Sequence, residues 1–281
     1  MTLAPFGARL RSALDERGPL CVGIDPHDAL LRAWGLNCDA QGLERFALTV
    51  VEALAGQVAV LKPQSAFFER FGARGIGVLE RTIAEARAAG TLVLLDAKRG
   101  DIGSTVEAYA QAYLDPDSPL FSDALTASPY LGFGSLQPLI DTALRHGAGV
   151  FVLALTSNPE GAEVQRALTG DRTTTVAGAI LAHVAEVNAG AVPLGSVGVV
   201  VGATLGRIDH DLAKVNGPLL APGLGAQGAT PADLRTVFGD VLADVVPAMS
   251  REVLRHGPDV RALREAASRA AADCRAALGR G

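Results

Sequence analysis

Two carboxylates and an ammonium follow one another at the end of an apolar run, Leu94-Leu95-Asp96-Ala97-Lys98-Arg99-Gly100-Asp101. Side chains alternate along a strand, so Asp96 and Lys98 fall on one face, and Asp101 follows a glycine where the chain leaves the strand. Charges at the end of a buried strand are costly to desolvate unless they pair. Taken alone, the stretch reads most simply as a strand-end salt bridge. A second lysine changes the chemistry on offer. With Lys62, at the end of another apolar run, the row Lys62, Asp96, Lys98, Asp101 alternates in charge. Opposite neighbours keep each lysine protonated and each aspartate ionised even when partly buried. Such a row supplies a strong local field, a proton donor in Lys98 and a carboxylate that repels an anionic group. It contains no histidine, no serine nucleophile and no metal-type cluster, so it points to proton transfer at carbon or to decarboxylation, with the protein itself stabilising the charge.

The lysines stand out against the rest of the composition. Basic residues are nearly all arginine, and the lysines are Lys62, Lys98 and Lys214. Arginine stays charged, whereas an amine can give up its proton, so a lysine kept at a strand end fits a tunable group. Net charge is −5 with no basic block, which argues against a nucleic-acid partner and leaves anionic small molecules open. Cys21, Cys38 and Cys274 have no metal-type spacing and an odd count, as expected in a reducing cytosol. The first 18 residues carry charges and no continuous apolar core, and no apolar run approaches the ~18 residues of a membrane helix. The expectation is a cytoplasmic protein with no membrane partner.

The elements that must position these residues are short and regular. Apolar runs at 20–24, 58–61, 92–95, 124–127, 150–155, 197–201, 219–221 and 244–246 read as strands. Helical patterns cover 3–16, 43–55, 77–89, 105–113, 135–146, 174–189, 208–215, 231–238 and 260–278. Strands alternating with helices predict a parallel sheet covered by helices, and eight such units predict a single-domain (β/α)8 barrel over residues 1–281. An open doubly wound sheet fits less well, because no strand leads into G-x-G-x-x-G. Two long segments, 114–123 and 157–172, are expected as lids or interfaces.

In a barrel the active site gathers at the strands' C-terminal ends. There stand Asp25-Pro26-His27, Lys62-Pro63-Gln64, the charged stretch, and Thr156-Ser157-Asn158. The last two strands end in Pro222-Gly223-Leu224-Gly225-Ala226-Gln227-Gly228 and in Ser250-Arg251. A glycine-rich turn beside an arginine on the next strand fits a phosphate, through backbone N–H groups and paired guanidinium hydrogen bonds. The five histidines show no paired spacing and read as surface or structural, and Trp34, Phe67, Phe68 and Phe71 read as core or interface.

Together these motifs resemble the orotidine 5′-phosphate decarboxylase family over residues 23–251. Its D-x-K-x-x-D-I-x-x-T pattern stands as Asp96 to Thr105, including Ile102, and its phosphate turn P-G-[IVL]-x-x-Q-G stands as Pro222 to Gly228. The long insertions and Thr-Ser-Asn-Pro are similar to the longer bacterial subgroup. The segment Pro247 to Glu252 departs from the more usual G-R-[GS] or S-R-[GS] ending by placing Glu252 after Arg251. The resemblance implies that Asp25 and Lys62 hold the ribose hydroxyls and that Asp96 lies beside the substrate carboxylate. Lys98 then protonates C6, a hydroxyl from Thr156 or Ser157 contacts the pyrimidine, and Gln227 and Arg251 hold the phosphate. It also implies a homodimer in which Asp101 and Thr105 reach the partner's site. Magnesium-dependent sugar-phosphate synthases and decarboxylases of this barrel type share D-x-K-x-x-D, but not Ile102 and Thr105 together with Lys62-Pro63. A barrel that has lost its activity would have no reason to keep Asp96, Lys98 and Asp101 intact.

Overall fold

The eight apolar runs become eight parallel strands that close on themselves in chain order. The computed structural model describes residues 3–279. The strands are β1 Cys21–Ile24, β2 Val60–Pro63, β3 Leu92–Arg99, β4 Ala124–Ala127, β5 Gly149–Leu155, β6 Val197–Val201, β7 Leu219–Pro222 and β8 Val245–Met249. β1 pairs with both β2 and β8, so the sheet has no edge. Helices connect the strands and cover the outside, as a parallel sheet buried on both faces requires. The chain therefore forms the expected (β/α)8 barrel.

Two apolar layers hold it. Outside the strands, Val22, Leu61, Val93 and Leu95 pack against helix residues such as Leu43, Phe46, Val50 and Leu79. Inside, Val60, Leu92, Leu94, Phe151, Leu220 and Val246 pack on Phe6, Leu10 and Leu14 of the first helix, Phe6–Arg17. That helix stops the N-terminal mouth, with Phe6 edge-on to Phe151 at 6.0 Å. Phe6 and Phe151 are essentially fully buried, and burial of a phenyl side chain contributes roughly 1.5–3 kcal/mol. Close approach fixes one position in the helix: a Cβ on Gly7 would lie 2.1 Å from the Leu194 carbonyl oxygen.

The barrel's inside changes character along its axis. Inward residues recur every second position, giving Cys21-Gly23-Asp25 from β1, Val60-Lys62 from β2 and Leu92-Leu94-Asp96 from β3. β4 gives Ala124-Thr126 and β8 gives Val246-Ala248-Ser250. Each series runs from apolar to polar, so the apolar plug at one end becomes a polar floor at the other.

Two expectations change. Residues 208–215 do not form a helix; only the 3-10 turn Leu212–Val215 forms, begun by Asp211 accepting from the Ala213 N–H and followed by Asn216 in the left-handed region. The short polar side chains there divert the backbone into local turns. The segment 114–123 precedes β4, so it lies at the N-terminal face and is not a lid over the site. Its Asp123 is buried, pairs with Arg9 at 2.6 Å and Arg87 at 3.4 Å, and accepts from the Val93 N–H at 2.9 Å. It clamps the bottom of the barrel.

Candidate active site

At the C-terminal mouth a cleft is lined by residues from every strand end, with Leu153, Val200, Leu220 and Ala248 as the apolar part of its lining. Asp25, Lys62, Asp96, Lys98, Thr156, Ser157, Pro222, Gln227, Ser250 and Arg251 all line it. Asp101, Ile102 and Thr105 do not.

The charged centre is an ion triad around one carboxylate. Lys62 Nζ donates to Asp96 Oδ2 at 2.9 Å, and Lys98 Nζ donates to Asp96 Oδ1 at 2.6 Å. The two lysines differ sharply in setting. The Lys62 side chain is 9% exposed and that of Lys98 46%. Burial opposes charge on Lys62, but the fields of Asp96, and then of Asp25 and Cys21, more than offset it and raise its pKa. Burial likewise opposes charge on Asp96, and Lys62 and Lys98 more than offset that, holding its carboxyl well below the usual range. Asp96 is an anion and Lys62 a cation throughout the neutral range.

β3 reaches this geometry by breaking its register. Leu95 pairs with Leu125 and Arg99 with Ala127, so Asp96, Ala97 and Lys98 face Thr126 alone. Lys98 sits at φ 49°, the left-handed region, where a non-glycine residue costs roughly 1–3 kcal/mol. The Lys98 N–H, displaced from the ladder, donates to Thr126 Oγ1 at 2.9 Å, and that hydroxyl donates to Asp96 Oδ1 at 2.9 Å. Asp96 and Lys98 do share a face, but through a bulge and not through regular alternation.

Beside the triad, Asp25 is buried, and its Oδ1 has no hydrogen-bond partner among the described residues; the same is true of Ser250 Oγ. Both lie around Gly23, where a Cβ would stand 2.8 Å from Asp25 Oδ2 and 3.0 Å from Ser250 Cβ. Buried polar atoms left over by the fold are suited to a polyhydroxyl ligand that completes them.

Across the cleft lie the glycine-rich turn after β7 and Arg251. In the turn after β7, Gly223, Gly225 and Gly228 all adopt positive φ, and the N–H groups of Gly225, Gly228 and Ala229 are used within the turn. Those three N–H groups are therefore not free for a ligand, and the side chains of Gln227 and Arg251 line the cleft beside them. Arg251 has no carboxylate partner among the described residues, whereas Glu252 pairs with Arg255 and leaves the guanidinium of Arg251 free for an anion. Ser157 Oγ donates to Gln227 Oε1 at 3.2 Å. Thr156 is turned to its own loop, its hydroxyl donating to Asn158 Oδ1 and accepting from Gln165 Nε2, each at 2.7 Å.

Asp101 accepts from the Ile102 N–H at 2.8 Å and makes no contact with Lys98. Ile102 and Thr105 are exposed on the rim. One chain thus assembles three members of the expected four-charge row. Thr126, His27 and Phe67 line the cleft without having been foreseen there. Thr126 gave no motif, although its parity with inward-facing Ala124 was visible. His27, expected as surface or structural, lines the cleft with its ring 4.4 Å from Phe67. Among the described residues no group of three or more His, Cys, Asp and Glu side chains is arranged to hold a metal, and no helix is long and apolar enough to cross a membrane.

The sequence profile of the orotidine 5′-phosphate decarboxylase / HUMPS family matches residues 18–266. The orotidine 5′-phosphate decarboxylase of Streptomyces coelicolor is 67% identical over 276 residues, 98% of this chain and 99% of that one. That of Salinispora arenicola is 69% identical over 274 residues, 97% of this chain and 98% of that one. Among solved structures, a chain from Streptomyces avermitilis is 67% identical and superposes with a TM-score of 0.97 over 99% of this chain and 98% of that one. The OMP decarboxylase of Leishmania donovani is 30% identical, with a TM-score of 0.74 over the whole of both chains.

Proposed function

Since the chain belongs to the orotidine 5′-phosphate decarboxylase / HUMPS family, we propose that it converts orotidine 5′-monophosphate to UMP and carbon dioxide without a cofactor, as one catalytic domain. The observation that carries this reading is the Lys62–Asp96–Lys98 triad, held at the floor of a cleft whose far side offers Gln227 and Arg251 to a phosphate.

Substrate lies with its phosphate at Gln227 and Arg251, its ribose hydroxyls at Asp25 and Lys62, and its pyrimidine under Ser157. Ser157 takes that place rather than Thr156, because the Thr156 hydroxyl is used as both donor and acceptor at 2.7 Å, whereas that of Ser157 makes one longer bond, to Gln227 at 3.2 Å. Pro222 and Ser250 complete the walls. The substrate carboxylate then faces Asp96, and two anions ~4 Å apart repel by roughly 4 kcal/mol at an effective dielectric near 20. The bond from C6 to the carboxylate carbon breaks, carbon dioxide leaves, and the electron pair stays on C6. Lys98 Nζ stabilises that charge as it develops and delivers a proton to C6, then recovers one from solvent. Lys98 suits the role because it is half exposed, whereas Lys62 is clamped by anions and is too weak an acid. Phosphate binding, remote from C6, supplies energy for positioning the ring.

The working form is a homodimer with shared sites. Asp101, Ile102 and Thr105 do not line their own chain's cleft, and apolar Ile102, Tyr130 and Leu131 are exposed on the loops after β3 and β4. A patch of that kind beside a site is suited to a second copy. Asp101 of one chain would complete the charged row of the other. Free cysteines, two of the three buried, fit a cytosolic location.

The test is purified protein with orotidine 5′-monophosphate in EDTA, following loss of orotate absorbance. Turnover in EDTA is expected. Turnover that requires added Mg²⁺ would move the protein to the sugar-phosphate branch of the family, and none at all would refute the reading.

A further inference from the structure

We propose that Thr126 is the positioning residue of the proton donor: its hydroxyl fixes both ends of the Asp96–Lys98 pair, and through them the reach of Lys98 Nζ toward the reacting carbon. The proposal rests on the decarboxylase reading above. Thr126 touches no reacting atom; it acts through its two neighbours.

Three residues of β3 face one residue of β4, so the backbone between Leu95 and Arg99 cannot be held by an ordinary ladder. Lys98 is in the left-handed region, which a lysine adopts only when its surroundings enforce it. What enforces it is a side chain: Thr126 Oγ1 accepts the Lys98 N–H at 2.9 Å, in place of a strand carbonyl. A hydroxyl has one proton to give, and here it goes to Asp96 Oδ1 at 2.9 Å. That oxygen also receives Lys98 Nζ at 2.6 Å, while Lys62 takes the other oxygen. Backbone of Lys98, hydroxyl of Thr126, carboxylate of Asp96 and ammonium of Lys98 thus form a closed ring of three hydrogen bonds. Thr126 is buried on the inner face of β4. Valine has the same shape and would keep the packing while removing both bonds. Ala, Val or Ile would suit an apolar lining, such as Leu153 of β5 and Val200 of β6 provide.

The ring lies on the β3–β4 side, away from Gln227 and Arg251, so its loss should act on the chemical step more than on binding. Displacing a reacting group by about 1 Å can lower a rate by about 10²-fold. Thr126→Val is therefore expected to lower kcat by about 10²-fold with KM and UMP affinity within about threefold, and Thr126→Ser, which restores the hydroxyl, to recover most of kcat. Thr126→Ala stands in if the valine variant does not fold. Full kcat in Thr126→Val, or a serine variant as slow as the valine or alanine one, would overturn the proposal. Amide hydrogen exchange at Lys98 separates this from the functional reading: it should speed by about tenfold in the valine or alanine variant and stay slow in the serine variant. If the wild-type protein turns over no orotidine 5′-monophosphate, the decarboxylase reading fails, and unchanged Lys98 exchange in Thr126→Val would separately refute the positioning role of Thr126.

Discussion

Two lysines in very different settings stand on the two oxygens of a single carboxylate. Their difference comes from surroundings: Lys62 is enclosed by Asp96 and Asp25, while Lys98 hangs from a strained backbone at the edge of solvent. Breaking a buried pair from one side leaves the other charge uncompensated and costs about 3–5 kcal/mol. Asp96→Asn should lower stability by about that much in urea denaturation at neutral pH. Because the folded carboxyl titrates below its unfolded value of about 3.9, the stabilisation is fully present above about pH 4 and is lost as pH falls through the depressed folded value. Lys62, with its folded pKa raised, keeps its share below about pH 10.4 and loses it as pH rises through the folded value. The wild type–variant gap should be flat from about pH 5 to 9 and narrow in acid, and a gap under about 1 kcal/mol at neutral pH would mean that the pair stabilises little. On the opposite wall, Ser157→Ala should raise KM for orotidine 5′-monophosphate by about tenfold, and Thr156→Val by clearly less. Steady-state kinetics that reversed this order would reassign the pyrimidine contact.

At the scale of elements, what could be read from the chain was what repeats. Apolar runs of strand length separated by helical patterns predicted the barrel, and the ends of those runs predicted which side chains meet, from Asp25 through Arg251. What could not be read was any feature that departs from the period. β3 looked like a strand that stops at Leu95, but it continues to Arg99 through a bulge that no residue type announces. Residues 208–215 had helical spacing, but the Asp211 side chain caps a single 3-10 turn there, and Asn216 ends it in the left-handed region. Segment 114–123 was legible as a long loop, though its place at the bottom follows from chain order only once the helix before it is fixed. The first helix was legible, but not its use as a plug. A methyl on Gly7 would meet backbone, which cannot move aside as a side chain can. Gly7→Ala should therefore destabilise by about 1–3 kcal/mol and lower the melting temperature. An unchanged melting temperature would show that the helix is not seated so closely.

For the whole molecule, the residues that one chain leaves outside its own cleft carry the next prediction. Asp101, Ile102 and Thr105 lie in the same motif as Asp96 and Lys98, and the sequence alone could not tell a residue that serves its own site from one that serves a neighbour's. If sites are shared, inactive Lys98→Ala and inactive Asp101→Ala subunits, mixed and allowed to exchange, form heterodimers in which one site holds both lesions and the other neither. Statistical mixing then restores about a quarter of wild-type activity. No recovery from fully exchanged mixtures would place Asp101 in its own chain's site or outside catalysis.

The central claim is that Lys98 delivers the proton to C6 while the phosphate and ribose contacts hold the substrate in place. It is tested most directly by the turnover of orotidine 5′-monophosphate by Lys98→Ala beside the wild type in EDTA, with UMP affinity measured on both. A positioned proton donor contributes about 10²–10⁴-fold, so the predicted result is a loss of kcat at or beyond the upper end of that range with UMP affinity within about threefold. A variant within tenfold of wild-type kcat would contradict it.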